Sequence, residues 1–436
     1  MRLPERETWQ RAALYALFAA SPWSISAIDA ASLALLGLGA LELWREPGAP
    51  RAPRRFALPF ALFAAACLLS ALANPGRLAN LAELAHLYRL LLPFALLPAL
   101  ARVDRRGPLA VLAVGALLLG VYGAVQFQAG VDWVRPAGEK LVRPSRLAGA
   151  LVFHAQGTFT HHLTYAGFEL LALAFFLALF LADRARWRWL WLAAACSSAA
   201  GLLFSMGRSG WIGGLVGCSL LLLRLPRRVA FPLLGGGLAA GALLAAGLAT
   251  GRLQAAGRPD APVLVQRLLH TSLANDRDRL YMWEAGWLGF RAHPILGIGL
   301  GNDRTDYEQY RRLVAERHGG HRYLNPPHVG VHNLYLQLAY ELGSLGLAAW
   351  LLVAGSVLSW CAAGLRRAGP GQELEAGILW GSAAALAGSM AAALFENNLL
   401  DAEVQNLLAL LMGLALHAGR VVGVGGVRAA ARGDTG

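Results

Sequence analysis

Residues 332–360 read HNLYLQLAYELGSLGLAAWLLVAGSVLSW. After His332-Asn333 the stretch carries one charged side chain, Glu341, in an otherwise apolar run. A helix of about 20 such residues crosses the ~30 Å hydrocarbon core of a bilayer. Comparable runs lie on both sides of it, at about 10–24, 27–44, 55–73, 80–101, 108–129, 163–183, 187–205, 209–223, 229–250, 373–396 and 400–419. Together they predict an all-α polytopic membrane protein with about twelve transmembrane helices. Gly213-Gly214, Gly235-Gly236-Gly237 and Gly241 fall inside these runs, where small residues let transmembrane helices approach closely. The composition agrees: of 436 residues 56% are hydrophobic and 15% charged. A soluble chain carries roughly a quarter charged residues.

The net charge is nevertheless +13, and its placement decides what it means. Twenty-one of the 39 Lys and Arg residues fall in segments 1–11, 45–55, 102–106, 184–188, 224–228, 366–367 and after 419. The short connectors on the opposite side hold two, Arg77 and Arg208. Cytoplasmic loops attract Lys and Arg, so this bias predicts both termini inside. Charge dispersed over short loops is an orientation signal, and no nucleic-acid-binding pattern accompanies it. The first span lacks a small-residue cleavage site, so no removable signal peptide is expected. Two outer segments exceed connector length, 130–162 and 251–331. The expected organisation is helices one to nine over 1–250, an outer helical cap over 251–331, helices ten to twelve over 332–419, and an inner tail 420–436.

The outer side therefore holds the candidate chemistry. Asn325-Pro326-Pro327-His328 precedes His332, so the tenth helix is expected to begin just before His332. A helix N-terminus disfavours imidazolium, and a neutral imidazole is a general base at neutral pH. Arg208, in Ser205-Met206-Gly207-Arg208-Ser209-Gly210, lies at a turn where Ser205 or Ser209 would cap the next helix, a setting that suits an anion. The bland alternative is an interfacial anchor. Arg279 follows Asp276-Arg277-Asp278, and its alternative is an ion pair with either carboxylate. Glu83, His86 and Arg89 recur every third residue on one face of the fourth span, with Arg89 about 13 Å below the entry point. Intramembrane charge is costly, so Arg89 either faces a cavity or pairs with Glu83. Glu341 sits ~13 Å deeper than His332 on the opposite helix face, which favours a structural hydrogen bond over direct pairing. Asp276-x-Asp278 is flanked by arginines and is a weak metal pattern. The histidines of 154–162 and 318–328 lack ligand spacing, and His161 and His162 are expected to point apart.

Three ordered blocks carry a resemblance. They are Arg279-x-x-x-Trp283, then His293-Pro294-Ile295-Leu296-Gly297-Ile298-Gly299-Leu300-Gly301-Asn302, then His332-Asn333-x-Tyr335-Leu336-Gln337-x-x-x-Glu341-x-Gly343-x-x-Gly346-Leu347. With Gly157-Thr158-Phe159 and the turn at Arg208, they resemble the O-antigen ligase/O-antigen polymerase superfamily. The resemblance implies a glycosyltransferase of GT-C architecture on the periplasmic face of a Gram-negative inner membrane. Its donor would be a glycan on undecaprenyl pyrophosphate and its acceptor a sugar of the lipid A core. Transfer would be inverting, with no metal or other cofactor, among membrane lipids and without nucleic acid. His332 would be the base. Arg208 and Arg279 would hold the pyrophosphate, joined by Arg89 on grounds of depth. His86, Asn333, Tyr335, Gln337 and Glu341 are supporting positions. A polymerase, a protein oligosaccharyltransferase and, from another class, a lipid or polysaccharide transporter remain as alternatives.

Overall fold

The computed structural model describes residues 3–46, 48–74, 84–134, 142, 144–147, 150–224, 228, 232, 273–300, 306–325 and 330–423. The expected span 229–250 apart from residue 232, most of the cap's first third, Glu83, Arg77 and His328 lie outside these. The described elements, in chain order, are α1 (Leu3–Ala20), α2 (Ile25–Arg45), α3 (Arg54–Ala73), a 3-10 segment (His86–Leu91), α4 (Leu92–Leu100) and α5 (Arg106–Ala129). Strands β1 (Pro144–Leu147) and β2 (Ala150–Phe153) follow, then α6 (His162–Ala182), α7 (Arg188–Phe204) and α8 (Arg208–Leu221). The cap contributes α9 (Leu273–Ala292) and α10 (Asp306–Arg317), and α11 (Leu334–Leu365), α12 (Glu373–Ala392) and α13 (Ala402–Val421) complete the bundle. The chain is mostly helical, but not wholly so: β1 and β2 pair antiparallel within the outer segment 130–162.

Among the described residues six helices are long and apolar enough to cross a membrane: α2, α3, α5, α6, α11 and α13. Over their most apolar windows α6 and α13 are 78% and 83% buried, against 33% for α2, so these two form the centre. Around them the small residues act as the sequence suggests. A Cβ on Gly213 of α8 would stand 2.6 Å from the Gly388 carbonyl of α12, and the reverse substitution would be equally close. Backbones approach here because neither residue has a side chain. Three of the arginines read from the sequence as orientation signals are engaged in ion pairs. Arg102 donates to the buried Glu42 at 2.7 Å, Arg105 to Glu375 at 2.6 Å and Arg106 to Asp183 at 3.1 Å.

The fourth span is a single helix neither in length nor in type. Pro93 has no N–H and its ring excludes the carbonyl four residues back, so the α-helix cannot extend through Arg89. Residues 86–91 tighten into 3-10 geometry instead, in which side chains three apart eclipse. His86 and Arg89 therefore still share an edge, as expected, for a different reason.

Helix α11 is broken at Gly343, whose backbone is left-handed at φ 67° and ψ −169°. The break frees carbonyls and N–H groups well inside the span. The glycine-rich loop after α9 supplies their partners. Ile298 N donates to the Tyr340 carbonyl at 3.1 Å and Gly299 N to that of Glu341 at 3.0 Å, while Ser344 N donates to the Pro294 carbonyl at 2.8 Å. Ser70 of α3 adds a hydroxyl donor to the Glu341 carbonyl at 2.9 Å. The chains meet so closely that a Cβ on Gly343 would overlap the Ile295 carbonyl, and one on Gly297 (φ 66°) would overlap that of Glu341. Gly343→Ala and Gly297→Ala are each expected to destabilise the protein by about 1–3 kcal/mol, from backbone strain alone. Thermal unfolding in detergent would show a lower midpoint for both; a midpoint equal to wild type would mean that this loop is not docked in the helix break.

Candidate functional site

A cavity of about 760 Å³ opens between α3, the 3-10 segment, α11 and α13. Its polar end carries His86, Arg89, His161, His332, Glu396 and Asp401; its apolar end is walled by Phe60, Phe63, Trp350, Val353, Leu408 and Met412. Gln337, Glu341 and Gln405 also face it.

His332 is not on α11. The helix starts at Leu334 with Asn333 as its N-cap, the Asn333 side chain accepting from Leu336 N at 3.1 Å. His332 precedes the cap in a left-handed conformation, φ 53°, which is uncommon for a residue with a side chain. Helix-terminus electrostatics therefore do not govern its ring. A carboxylate does: Nδ1 lies 2.7 Å from Oε2 of Glu396, in the connector after α12. A carboxylate accepts only, so Nδ1 carries the proton and Nε2 is the ring nitrogen left for a substrate. The strained backbone is held from both sides. Trp283 Nε1 donates to the His332 carbonyl at 3.3 Å, and Asn333 Nδ2 donates to Leu394 O at 2.9 Å. Tyr335 donates its hydroxyl to Met390 O at 2.7 Å, pinning α11 to the end of α12. Gln337 accepts from Val331 N at 2.8 Å and donates to Glu341 at 2.7 Å, so Glu341 is satisfied locally, as its depth suggested.

Glu396 also binds Arg279. One guanidinium nitrogen meets its Oε1, and another donates to the Phe395 carbonyl at 3.2 Å. The partner Arg279 finds is thus Glu396, 117 residues away, in addition to the alternatives Asp276 and Asp278 weighed from the sequence. Asp278 is committed elsewhere: its carboxylate accepts from Leu324 N at 3.0 Å and from Asn325 Nδ2 at 2.9 Å, with His321 at 3.0 Å. The Asp276 side chain is not among those described. Among the described residues no three His, Cys, Asp or Glu side chains gather as a metal site. Burial pushes the Glu396 carboxyl upward, but the His332 hydrogen bond and the Arg279 charge outweigh it and hold the group below the usual carboxylate range.

Arg89 is buried in the cavity wall, pairs with Asp29 of α2 at 3.2 Å and reaches Gln405 at 3.4 Å; the alternative partner Glu83 lies outside the described residues. Tyr88 donates to the same aspartate. His86 lines the cavity beside it. Arg208 is the first residue of α8, behind a Gly207 N-cap with no side-chain cap bond, and it lies outside the cavity lining. Ser205, expected to cap α8, instead accepts from Gly207 N at 3.1 Å within the turn. His161 and His162 do not diverge; their ring centroids are 4.4 Å apart. The structure thus gathers His332, Arg279, Arg89, His86, Gln337 and Glu341 at or beside one cavity, and leaves Arg208 apart.

Sequence reading did not single out Glu396, Asp29 or Asp401. Glu396 fell at the end of an expected span, where the only signal is the polar run Glu396-Asn397-Asn398 interrupting apolar sequence. Asp401 occupies the N-cap of α13 yet does not cap it; its carboxylate turns to Thr164 of α6, which donates at 2.6 Å. Burial pushes this carboxyl up to about 7, helped by Glu403 and Glu396, while the Thr164 hydroxyl pulls it down. Thr164→Val is accordingly expected to raise the Asp401 midpoint further. Infrared difference spectra would follow the protonated-carboxyl band through pH titration, with Asp401→Asn as the assignment; a wild-type midpoint near 4 would contradict the burial argument.

These elements define a polytopic helical membrane protein whose outer cap and spans jointly enclose a histidine–carboxylate–arginine site. Residues 192–351 match the family model described as O-antigen ligase, which supports membership of the O-antigen ligase/polymerase superfamily. The matched region contains Arg208, Arg279 and His332 and stops short of Glu396. It supports a glycosyltransferase-like ligase or polymerase activity on lipid-linked glycans in general. No individually curated protein matches the chain.

Proposed function

We propose that this protein is an O-antigen ligase. It transfers a glycan from undecaprenyl pyrophosphate to a sugar hydroxyl of lipid A core, on the periplasmic face of a Gram-negative inner membrane. The observation that carries this reading is the juxtaposition of His332, Glu396 and Arg279 at the polar end of a cavity whose other end is apolar. A lipid-linked diphosphate has the same division: a charged, sugar-bearing head and a hydrocarbon tail.

In this reading the acceptor hydroxyl sits against Nε2 of His332. Its oxygen attacks the anomeric carbon of the donor while its proton passes to Nε2. The C–O bond to the diphosphate breaks on the opposite face, and its electron pair leaves with the diphosphate, inverting the anomeric centre. The leaving group is a weak base and needs charge stabilisation more than a proton. Arginines supply that stabilisation as preorganised donors. Arg279 and Arg208 take this role from the family resemblance, and Arg89 from its place in the cavity wall. Asn333, Tyr335 and Gln337 hold the turn that aims His332.

His332→Ala is expected to lower transfer by about 10²–10⁴-fold, the range for loss of a general base, with donor binding within twofold of wild type. Radiolabelled-donor transfer and binding assays on purified protein measure both, and a fully active variant would exclude the base role. Deleting the gene discriminates among the superfamily's activities. A ligase leaves core lacking long O-chains while lipid-linked polymer accumulates. Chains shortened to a single repeat would assign a polymerase instead, and unaltered lipopolysaccharide with lost protein glycans an oligosaccharyltransferase.

A further inference from the structure

Glu396 is buried, its side chain 3% exposed, and its carboxylate is shared between two partners, the His332 imidazole and the Arg279 guanidinium. Oε2 meets His332 and Oε1 meets Arg279. The Arg279 side chain remains 29% exposed; one terminal nitrogen donates to the Phe395 carbonyl and the other to Glu396, and each carries a second N–H. The Arg279 charge offsets the field that Glu396 exerts on the imidazole. A dianion captured on those second N–H groups would offset Arg279 instead and release that field to His332. We propose that Glu396 is a positioning residue that couples diphosphate capture by Arg279 to the base strength of His332. The proposal rests on the roles given to Arg279 and His332 under the proposed function.

Other charged groups form a background that the coupling does not alter. Arg89 is compensated by Asp29, and Glu341 is hydrogen-bonded by Gln337. Asp401 and Glu403 stand on the α13 side, and His86 and His161 also line the cavity. Among the described residues only Glu396 bonds both His332 and Arg279. Under this coupling the base strengthens when a donor is captured, so the acceptor meets its strongest base when the leaving group is in place.

The test reads the imidazole directly and needs no turnover. Full-length protein with isotope-labelled histidine, in lipid nanodiscs, is titrated by NMR with and without saturating farnesyl diphosphate, with His332→Gln as the assignment. A nearby compensated charge shifts a titration by about one pH unit or more. The His332 midpoint is therefore expected to rise by about one unit on adding the lipid diphosphate. Glu396→Gln should cut that rise to less than half, and Glu396→Asp, which keeps the carboxylate, should preserve most of it. Arg279→Gln should show a raised midpoint before any lipid is added. A bound lipid diphosphate with an unmoved midpoint, or a full rise in Glu396→Gln, overturns the coupling alone. Failure of the lipid diphosphate to bind at all overturns the coupling together with the assigned donor class, whereas an active His332→Ala enzyme overturns the base role without touching the charge coupling.

Discussion

A backbone carbonyl released inside hydrocarbon has no water to turn to, and each such group costs several kcal/mol unless the protein supplies a partner. That constraint explains why the break at Gly343 and the loop 293–300 belong together. The loop's N–H groups and carbonyls replace the helical bonds that the left-handed glycine removes. The exchange ties the outer cap to the middle of a transmembrane helix. Everything near the site leans on it: α9, which carries Arg279 and Trp283, is followed directly by the loop that docks into α11, and α11 begins just after His332. The glycine-rich motif, which has the look of a phosphate-binding turn, is a structural plug.

Six of the expected spans were legible in the sequence because apolar length is a local property. The same holds for α8 and α12, whose glycines announce a close contact without saying with what. The fourth span was misjudged in form because Pro93 acts backward on Arg89, a steric effect that hydropathy does not register. The site was legible in part. His332 and Arg279 stand out by type and position, and Arg89 by the cost of its depth. Their partners do not stand out, because Glu396 and Asp29 are single carboxylates 64 and 60 residues away in the chain. Nothing periodic links such pairs, and only the packing of α2, α9 and α12 brings them together. The helix-terminus account of His332 failed for a related reason: the cap is Asn333, and a carboxylate from a distant turn outweighs the dipole.

The cavity lining is closer to neutral than a basic protein suggests. Arg89 in the lining is paired with Asp29, Arg279 beside it is paired with the lining residue Glu396, and Glu341 and Asp401 add further acidity. Compensated arginines can stand near hydrocarbon at modest cost, since isolated charge there is expensive.

Helix α13 follows all the other described helices in the chain and is also the most buried of the six long spans. With the connector before it come Glu396, Asp401 and Gln405. During biosynthesis α11 must therefore enter the bilayer with its place at the centre still empty, and the earlier helices must wait, loosely assembled, for a late arrival to fill the core. The chemistry cannot be switched on piecemeal: a nascent chain that has already delivered His332 and Arg279 still lacks the carboxylate that joins them. Closure of the bundle and completion of the site are the same event, so quality control of membrane insertion is also control over when this site first becomes whole.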